Sequence, residues 1–460
     1  MNRVSKRAWA LVVLIAILLG GLGFFLGEFF MNASVWVGHT NSPHLFGNSG
    51  TAAGSVVDRN GEMLLTIGGA SSYAESAAVR EAMLHWLGDR EGKINAPMVA
   101  YYAAEMSDYD LLNGLYSYSD VPGCIELTLS ADVQAAALKA MGDHQGVIAV
   151  YNYETGEILC AVTTPTYDPD DPPDLSQEEL ENNEAYDGLY WNRVTRSVYT
   201  PGSIFKIVTT AAALETIDDI QQQTFECTGA VAYGPDTVTC ENAHGTVDLK
   251  KAMRKSCNCA YAQIADQLGA DTLMRYVGKF GITTSLKFDG ITTKAGSFDL
   301  SGAADVEVAW AAIGQYTDQI NPLQYMTLMG AIAGGGSGAE PHMVSRVARG
   351  EDPVYEVRST STGRLVSAET AQILTELMRN NVENNYGSSN FPGLTVCAKS
   401  GTSQVGGDQV SNALFSGFVA DEEYPLAFIV VVENGGYGSS TCVPIMSEVL
   451  AACKDEMDKN

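Results

Sequence analysis

The stretch TPGSIFKIVTT, from Thr200 to Thr210, decides the fold of this chain. Pro201 and Gly202 indicate a turn, and the apolar residues that follow recur at helical spacing. We therefore predict that Ser203 lies at a helix N-terminus, with Lys206 one turn later on the same face. Because a serine in this position is most often a helix cap, other segments must show whether it has a chemical role.

Serine and lysine at this spacing can form a nucleophile and its base. A serine hydroxyl reacts poorly until a neighbouring base removes its proton, and a lysine can be that base only when its amine is neutral. Burial, a nearby cation and the positive end of a helix all favour the neutral amine. A Ser-x-x-Lys pattern alone is weak, because a chain of this length can contain one by chance.

Two more motifs follow in order along the chain. The sequence KSG at residues 399–401 comes directly after the apolar stretch LTVCA, which predicts a strand whose glycine lets a ligand approach the backbone. Ser256 and Asn258 form a Ser-x-Asn motif at the start of a helical run, whereas a second such motif, at 388–390, lies in a loop rich in Asn and Ser. The order of the motifs along the chain and the helical setting favour Ser256 and Asn258 over residues 388–390. Together the three motifs are similar to the signature of penicillin-binding proteins and class A β-lactamases.

The chain resembles the class B penicillin-binding proteins, monofunctional peptidoglycan D,D-transpeptidases anchored by one N-terminal helix. The resemblance covers nearly the whole chain and is carried by GSVVDRNGEML, LTLSADVQ, VYNYETGEILCAVTTPTYDP, NRVTRSVYTPGSIFK, KSCNCAYAQIA and AKSGTSQ. It implies an α/β transpeptidase fold with an antiparallel sheet between helices. It also implies a small membrane-proximal domain, a stem-peptide substrate, β-lactam binding and, as in short members of the class, a polytopic glycosyltransferase partner.

The resemblance also implies catalytic roles, position by position. Ser203 would be the nucleophile that accepts the acyl group, and Lys206 would be its base. Ser256 would relay a proton to the leaving group, and Asn258 would hold Lys206 and the substrate amide. Lys399 would keep the amine of Lys206 neutral and attract the substrate carboxylate.

Substrate binding is assigned in the same way to the segment after Lys399. The hydroxyls of Ser400 and Thr402 would contact the carboxylate, and Gly401 lies between them. The backbone N–H groups of Ser203 and Thr402 would form the oxyanion hole. The resemblance leaves two other functions open: a β-lactamase, or a noncatalytic β-lactam receptor or scaffold. The only Glu-x-x-x-Asn between the second and third motifs starts at Glu376, which is the wrong spacing for a class A deacylation base.

The N-terminus predicts a membrane anchor. Residues 8–27 carry no charge and are long enough to cross a bilayer. Arg3, Lys6 and Arg7 precede them, which predicts a cytoplasmic N-terminus and an exported remainder in a single-pass protein. We therefore expect a tip and anchor at 1–31, a membrane-proximal pedestal domain at 32–125 and a transpeptidase domain at 126–460.

Composition restricts the partners. The chain has 460 residues, and 27 Lys and Arg against 55 Asp and Glu give a formal charge of -28, which argues against nucleic acid. Nine cysteines cannot all pair within one chain. Cys227 and Cys240 bracket a predicted two-stranded ribbon and are either a disulfide or two half-buried thiols. Cys257 and Cys259 have no partner pattern, and His244 is typical of a turn or packing residue. The sequence therefore predicts no metal site and no cofactor.

Overall fold

The computed structural model describes residues 2–37, 54–67, 72–106, 109–110, 114–115, 123–404 and 410–459. Parts of the predicted pedestal lie outside these residues. The helices are α1 Asn2–Val37, α2 Ala77–Leu87, α3 Pro97–Tyr101, α4 Ala103–Met106, α5 Ala131–Met141, α6 Gln177–Asn182, α7 Arg193–Arg196, α8 Lys206–Thr216, α9 Leu249–Arg254, α10 Asn258–Lys279, α11 Asp305–Ala311, α12 Pro322–Ala333, α13 Ala368–Asn381 and α14 Gly438–Met457.

The strands are mostly short. They are β1 Gly54–Val57, β2 Met63–Ile67, β3 Ser72–Tyr73, β4 Tyr109–Asp110, β5 Gly114–Leu115, β6 Gly123–Leu127, β7 Gly146–Asn152, β8 Ile158–Thr164, β9 Thr224–Cys227, β10 Ala230–Tyr233, β11 Asp236–Thr239, β12 Gly245–Asp248, β13 Lys287–Phe288, β14 Ile291–Thr292, β15 Val344–Arg349, β16 Asp352–Glu356, β17 Val396–Ser403, β18 Asn412–Val419 and β19 Leu426–Val432. The longest of them form one sheet, which carries the site.

That sheet has five antiparallel strands in the order β17-β18-β19-β7-β8. Residues of β7, β8, β18 and β19 are buried throughout, which indicates that helices cover both faces. On one face lie α5 and α14, and α12 packs on the other. The predicted antiparallel sheet between helices, built from the two ends of the region, is confirmed.

A second sheet contains strands from distant parts of the chain, in the order β16-β15-β6-β1-β2-β3. Its strands β1 and β2 pair antiparallel on either side of the turn at Asn60 and Gly61, and β1 pairs in parallel with β6. Strand β15, from far downstream, pairs with β6. The division at 32–125 and 126–460 stays a prediction.

Three local features of the helices matter for the site. The last helix, α14, begins at Gly438, whose backbone packs closely against Gly401 and Leu414, and it contains Pro444. Ser203 lies in a 3-10 turn, Gly202–Phe205, and the α-helix starts only at Lys206. The helical run through 249–279 is broken twice, because Ser256 and Cys257 leave the helical path between α9 and α10, and Gly269, with φ +70, interrupts α10.

Candidate active site

The turn that carries Ser203 is held against strand β17. Gly202 adopts φ +53, a conformation that favours glycine, and a Cβ there would lie 2.5 Å from the carbonyl oxygen of Thr402. The Gly202 N–H donates to the carbonyl oxygen of Gly314 at 2.9 Å. The Pro201-Gly202 turn therefore also lets Ser203 approach strand β17, which carries the third motif.

Lys206 is completely buried and meets the first two motifs. Its Nζ lies 2.9 Å from Ser203 Oγ, 3.0 Å from Ser256 Oγ, 2.9 Å from the Ser256 carbonyl oxygen and 2.8 Å from Asn258 Oδ1. The carbonyl and amide oxygens can only accept, so they take the two N–H groups of a neutral amine. The lone pair of Nζ is then left for the O–H of Ser203.

The surroundings of Lys206 favour that neutral form. Burial holds the pKa of Lys206 well below its usual range, and the positive charge of Lys399 lowers this pKa further. The arrangement can therefore accept a proton from the serine hydroxyl.

Ser256 lies between α9 and α10, and Asn258 is the first residue of α10. Ser256 has φ +51, which is uncommon for a residue with a side chain, and its Oγ donates to Ser203 Oγ at 2.8 Å. Asn258 Nδ2 donates to the carbonyl oxygen of Thr239 at 2.8 Å, which fixes Oδ1 toward Lys206. The structure thus brings the first Ser-x-Asn motif to Ser203.

The second Ser-x-Asn motif, at 388–390, is an exposed turn next to the third motif. There the side chain of Asn390 donates to the carbonyl oxygen of Tyr386. This setting agrees with the preference for Ser256 and Asn258 drawn from chain order.

Strand β17 forms the opposite wall of the cleft. Lys399 is buried, and its Nζ donates to the carbonyl oxygen of Ser400 at 2.8 Å. Burial lowers the pKa of Lys399 to about 7, against the opposing effect of the Glu241 carboxylate. Near neutral pH both the neutral and the charged form of this amine are therefore present, and a bound carboxylate would favour the charged form.

Ser400, Gly401 and Thr402 follow on the same strand. The Ser400 N–H donates to the Tyr386 hydroxyl at 2.9 Å, and the two hydroxyls are also 2.9 Å apart. A Cβ on Gly401 would lie 2.7 Å from the carbonyl oxygen of Pro201, so the glycine lets the two motifs touch. All three motifs predicted from the sequence therefore meet at one place.

A cleft of about 560 Å³ runs between the two walls, a volume typical of small-molecule sites. Its lining includes the predicted residues Ser203, Ser256, Asn258, Lys399, Ser400 and Thr402, together with Glu241, Trp310 and Tyr437.

Three neighbours of the site have no signal in the sequence. Tyr386 orients Ser400, the backbone of Thr239 orients Asn258, and Gln315 donates to the carbonyl oxygen of Thr402 at 3.1 Å. Each comes from a segment that the motifs do not mark, so only the folded chain identifies them.

Comparison with known proteins agrees with this geometry. Residues 146–451 match the family model for the penicillin binding protein transpeptidase domain. The chain belongs to this penicillin-binding transpeptidase family. The family, the fold and the transpeptidase function expected from the sequence are thereby confirmed.

Relatives of this transpeptidase cover most of its length. Peptidoglycan D,D-transpeptidase PbpA of Mycolicibacterium smegmatis is 29% identical over 369 residues, which is 73% of each chain. The ceftriaxone acyl-enzyme complex of penicillin-binding protein A from M. tuberculosis superposes with a TM-score of 0.74, at 22% identity, over 88% of this chain and 98% of that one.

A complex between penicillin-binding protein PBP2 and MreC from Helicobacter pylori has a TM-score of 0.62, at 22% identity, over 72% of this chain and 64% of that one. At these identities the two solved structures bear on the fold alone. Among the described residues, one helix is long and apolar enough to span a membrane, within Val4–Asn32, as the sequence predicts for a single-pass protein.

Proposed function

We propose that this transpeptidase cross-links peptidoglycan stem peptides through an acyl-enzyme on Ser203. One observation carries the proposal: Ser203 Oγ lies within hydrogen-bond reach of both Lys206 Nζ, at 2.9 Å, and Ser256 Oγ, at 2.8 Å. A nucleophile next to a desolvated base and a second hydroxyl is the arrangement that acyl transfer requires.

During acylation one proton moves from Ser203 to Lys206 and then, through Ser256, to the leaving group. Lys206 takes the proton of Ser203 as Oγ attacks the carbonyl carbon of the penultimate D-Ala. Ser256 then passes a proton from the new ammonium group to the nitrogen of the terminal D-Ala, the C–N bond breaks, and D-Ala leaves. An amine of a neighbouring strand attacks the ester, its surplus proton returns through the same groups, and Ser203 is regenerated.

The opposite wall holds the substrate during these steps. Protonated Lys399 attracts the terminal carboxylate, and the hydroxyls of Ser400 and Thr402 hydrogen bond to it. The backbone N–H groups of Ser203 and Thr402 stabilise the oxyanion of the tetrahedral intermediate. The close approach of Gly202 to Thr402 supports this pairing, because it brings the two backbones together.

Labelling with a fluorescent penicillin tests the nucleophile. The purified full chain in detergent should become covalently labelled, and peptide mapping should place the adduct on Ser203. Ser203→Ala should remain folded and unlabelled, whereas Ser388→Ala, in the exposed second motif, should label like the wild type. Labelling of Ser203→Ala at the wild-type rate would contradict the proposal.

Two further measurements separate the other functions. Cross-linked product from lipid-linked glycan strands, in the presence of a glycosyltransferase, supports transpeptidation. Rapid turnover of a chromogenic cephalosporin would instead indicate a β-lactamase. Labelling without any cross-linked product would indicate a receptor or scaffold.

We further propose that the N-terminus is cytoplasmic, that the catalytic domain is outside, and that a polytopic glycosyltransferase is the partner. Lys6 and Arg7 support the orientation, because basic residues favour the cytoplasmic side. The MreC complex shows that a relative has a protein partner. Reporter fusions at each end should give opposite sidedness, and a polytopic glycosyltransferase should co-purify in detergent with the wild type and not after replacement of α1.

A further inference from the structure

Four side chains that can bind a metal converge beside the second motif. They are Cys227, Cys240, His244 and Cys257, and their ligand atoms all lie within 4.8 Å of one another. We propose that these residues form a tetrahedral Zn²⁺ site with three thiolates and one imidazole. This proposal departs from the sequence prediction of no metal.

The distances fit the geometry of such a site. His244 Nδ1 lies 3.6 Å from Cys227 Sγ and 3.5 Å from Cys240 Sγ. With Zn–S of about 2.3 Å and Zn–N of about 2.0 Å, a tetrahedron has an S···N edge of about 3.5 Å. The two measured edges therefore match a metal-centred tetrahedron.

The local fold presents the four ligands from different segments. Cys227 ends β9, Cys240 follows β11, His244 precedes β12, and Cys257 comes directly before α10. Cys227 and Cys257 are buried, while Cys240 and His244 line the cleft and give an entry path. Strands β9 to β12 form two separate two-stranded ribbons, which have little stability alone and gain it from a metal that joins them.

The backbone around His244 is also held in place. Lys251 Nζ donates to the carbonyl oxygen of His244 at 3.2 Å and to that of Thr246 at 3.0 Å. The loop between Cys240 and β12 is thus fixed by the start of α9, so its imidazole is presented to the thiols without a large rearrangement.

The chemistry of the ligands selects zinc. Thiolates and imidazole prefer Zn²⁺ over Ca²⁺ or Mg²⁺, and Cys₃His is a common structural zinc set. All nine cysteines of the chain are free thiols in the structure, including Cys227 and Cys240. In an oxidising compartment three neighbouring thiols would tend to pair and leave one over, whereas a metal uses all of them. Binding releases three protons, and the bound site carries a net charge of -1.

The proposed zinc site lies beside the second motif, and this position gives it a role in positioning that motif. Cys257 stands between Ser256 and Asn258, and Cys240 follows Thr239, whose carbonyl oxygen holds Asn258. The metal would therefore fix the wall that directs proton transfer, and it would act through these residues without contacting the substrate. The metal site is independent of the proposed transpeptidation, and only its effect on acylation rests on that function.

Metal analysis of the purified full chain tests the site. Protein grown with zinc and purified without chelator or reductant should contain about one zinc per chain after gel filtration. Cys227→Ser and Cys257→Ser should lose it. Cys259→Ala is the matched control, because Cys259 is a buried thiol next to the cluster and should leave the zinc in place. Cobalt replacing zinc should give thiolate charge-transfer bands and the visible bands typical of tetrahedral Co²⁺.

Removing zinc from the wild type tests the site without relying on a variant. A chelator should lower the melting temperature and slow acylation by a penicillin about 10²-fold, as loss of positioning does. Zinc or cobalt should restore both, and Mg²⁺ should restore neither. Zinc binding without any change in acylation would keep the site and reject its positioning role.

Three results would overturn the metal site. One is zinc-free wild type that has a disulfide between two of the three cysteines by intact mass. Another is zinc-free, fully reduced protein that binds no added zinc or cobalt. The third is zinc that Cys257→Ser retains and Cys259→Ala loses. Failure of penicillin labelling at Ser203 would bear on the proposed function alone.

Discussion

The two walls of the cleft are held in different ways. Strand β17 pairs with β18 along all eight of its residues, so a backbone ladder fixes Lys399 and Thr402. The opposite wall, residues 256–258, runs from the end of α9 into the start of α10, and Ser256 has a positive φ. The N–H groups of its first two residues bond locally, to carbonyl oxygens of α9, and side-chain contacts of Lys206 and Asn258 connect it to the rest of the site. In the proposed mechanism, substrate binding therefore depends on the sheet, and proton transfer depends on side chains that single substitutions can disturb.

The largest effect should come from the residue that joins the walls. Lys206→Met removes the proposed base while keeping much of the side-chain volume, so acylation by a fluorescent penicillin should fall by ~10³ or more. The exposed Lys279, which pairs with Glu215, is the matched control, and Lys279→Met should acylate normally. Acylation of Lys206→Met within about tenfold of the wild type would show that another group is the base.

A smaller loss is expected on the side-chain wall. Ser256→Ala removes the hydroxyl that bonds to Ser203, so the acylation rate should fall by about 10². Ser388→Ala, in the exposed second motif, should leave the rate unchanged. Equal losses in the two variants, measured by stopped-flow labelling, would mean that the choice between the motifs is wrong.

The sheet wall should show its contribution in the pH profile. The pKa of Lys399 is lowered to about 7, and its charged form attracts the carboxylate. Acylation should therefore fall about tenfold for each pH unit above that value, as the protonated fraction does. Burial holds the pKa of Lys206 well below its usual range, which favours its neutral form.

In Lys399→Arg the side chain stays charged across this pH range. The decrease of the acylation rate with rising pH should therefore begin at a higher pH than in the wild type, even if the larger side chain lowers the rate overall. The measurement is the second-order acylation constant as a function of pH. If the constant falls at the same pH in both proteins, the decrease belongs to a group other than Lys399.

The smallest effect should come from a residue behind the sheet wall. Tyr386→Phe removes the hydroxyl that accepts from the Ser400 N–H, which costs ~1 kcal/mol, or about fivefold in the acylation constant. Tyr424→Phe, which loses an exposed hydrogen bond to Asp458, should have no effect. A loss of about 10² for Tyr386→Phe would show that the ladder alone does not hold this wall.

The residues proposed to react could be selected from the sequence because each lies in a short motif with its own local structure. Ser203 and Lys206 share one turn, and Lys399 follows an apolar strand. The strand pairs on either side of the turns at Asn60 and Gly156 were also predictable, because alternation and turn residues are local signals.

What the sequence could not show depends on chain segments far apart. Tyr386 reaches Ser400 from outside the motif, and Gln315 reaches Thr402 across 87 residues. The Cys227, Cys240, His244 and Cys257 cluster has no regular ligand spacing, so only the folded chain brings it together.

The order of strands in the central sheet has a consequence for biogenesis. Strand β19, made near the end of synthesis, separates β18 from β7, made in the first third, and pairs with both. The pairs β7-β8 and β17-β18 therefore cannot join into one sheet until residue 432 has emerged, and contacts this distant in sequence form slowly. On the proposed orientation, the chain crosses the membrane unfolded while its edges are unpaired, and a nascent chain that stops before β19 would be a substrate for quality-control proteases.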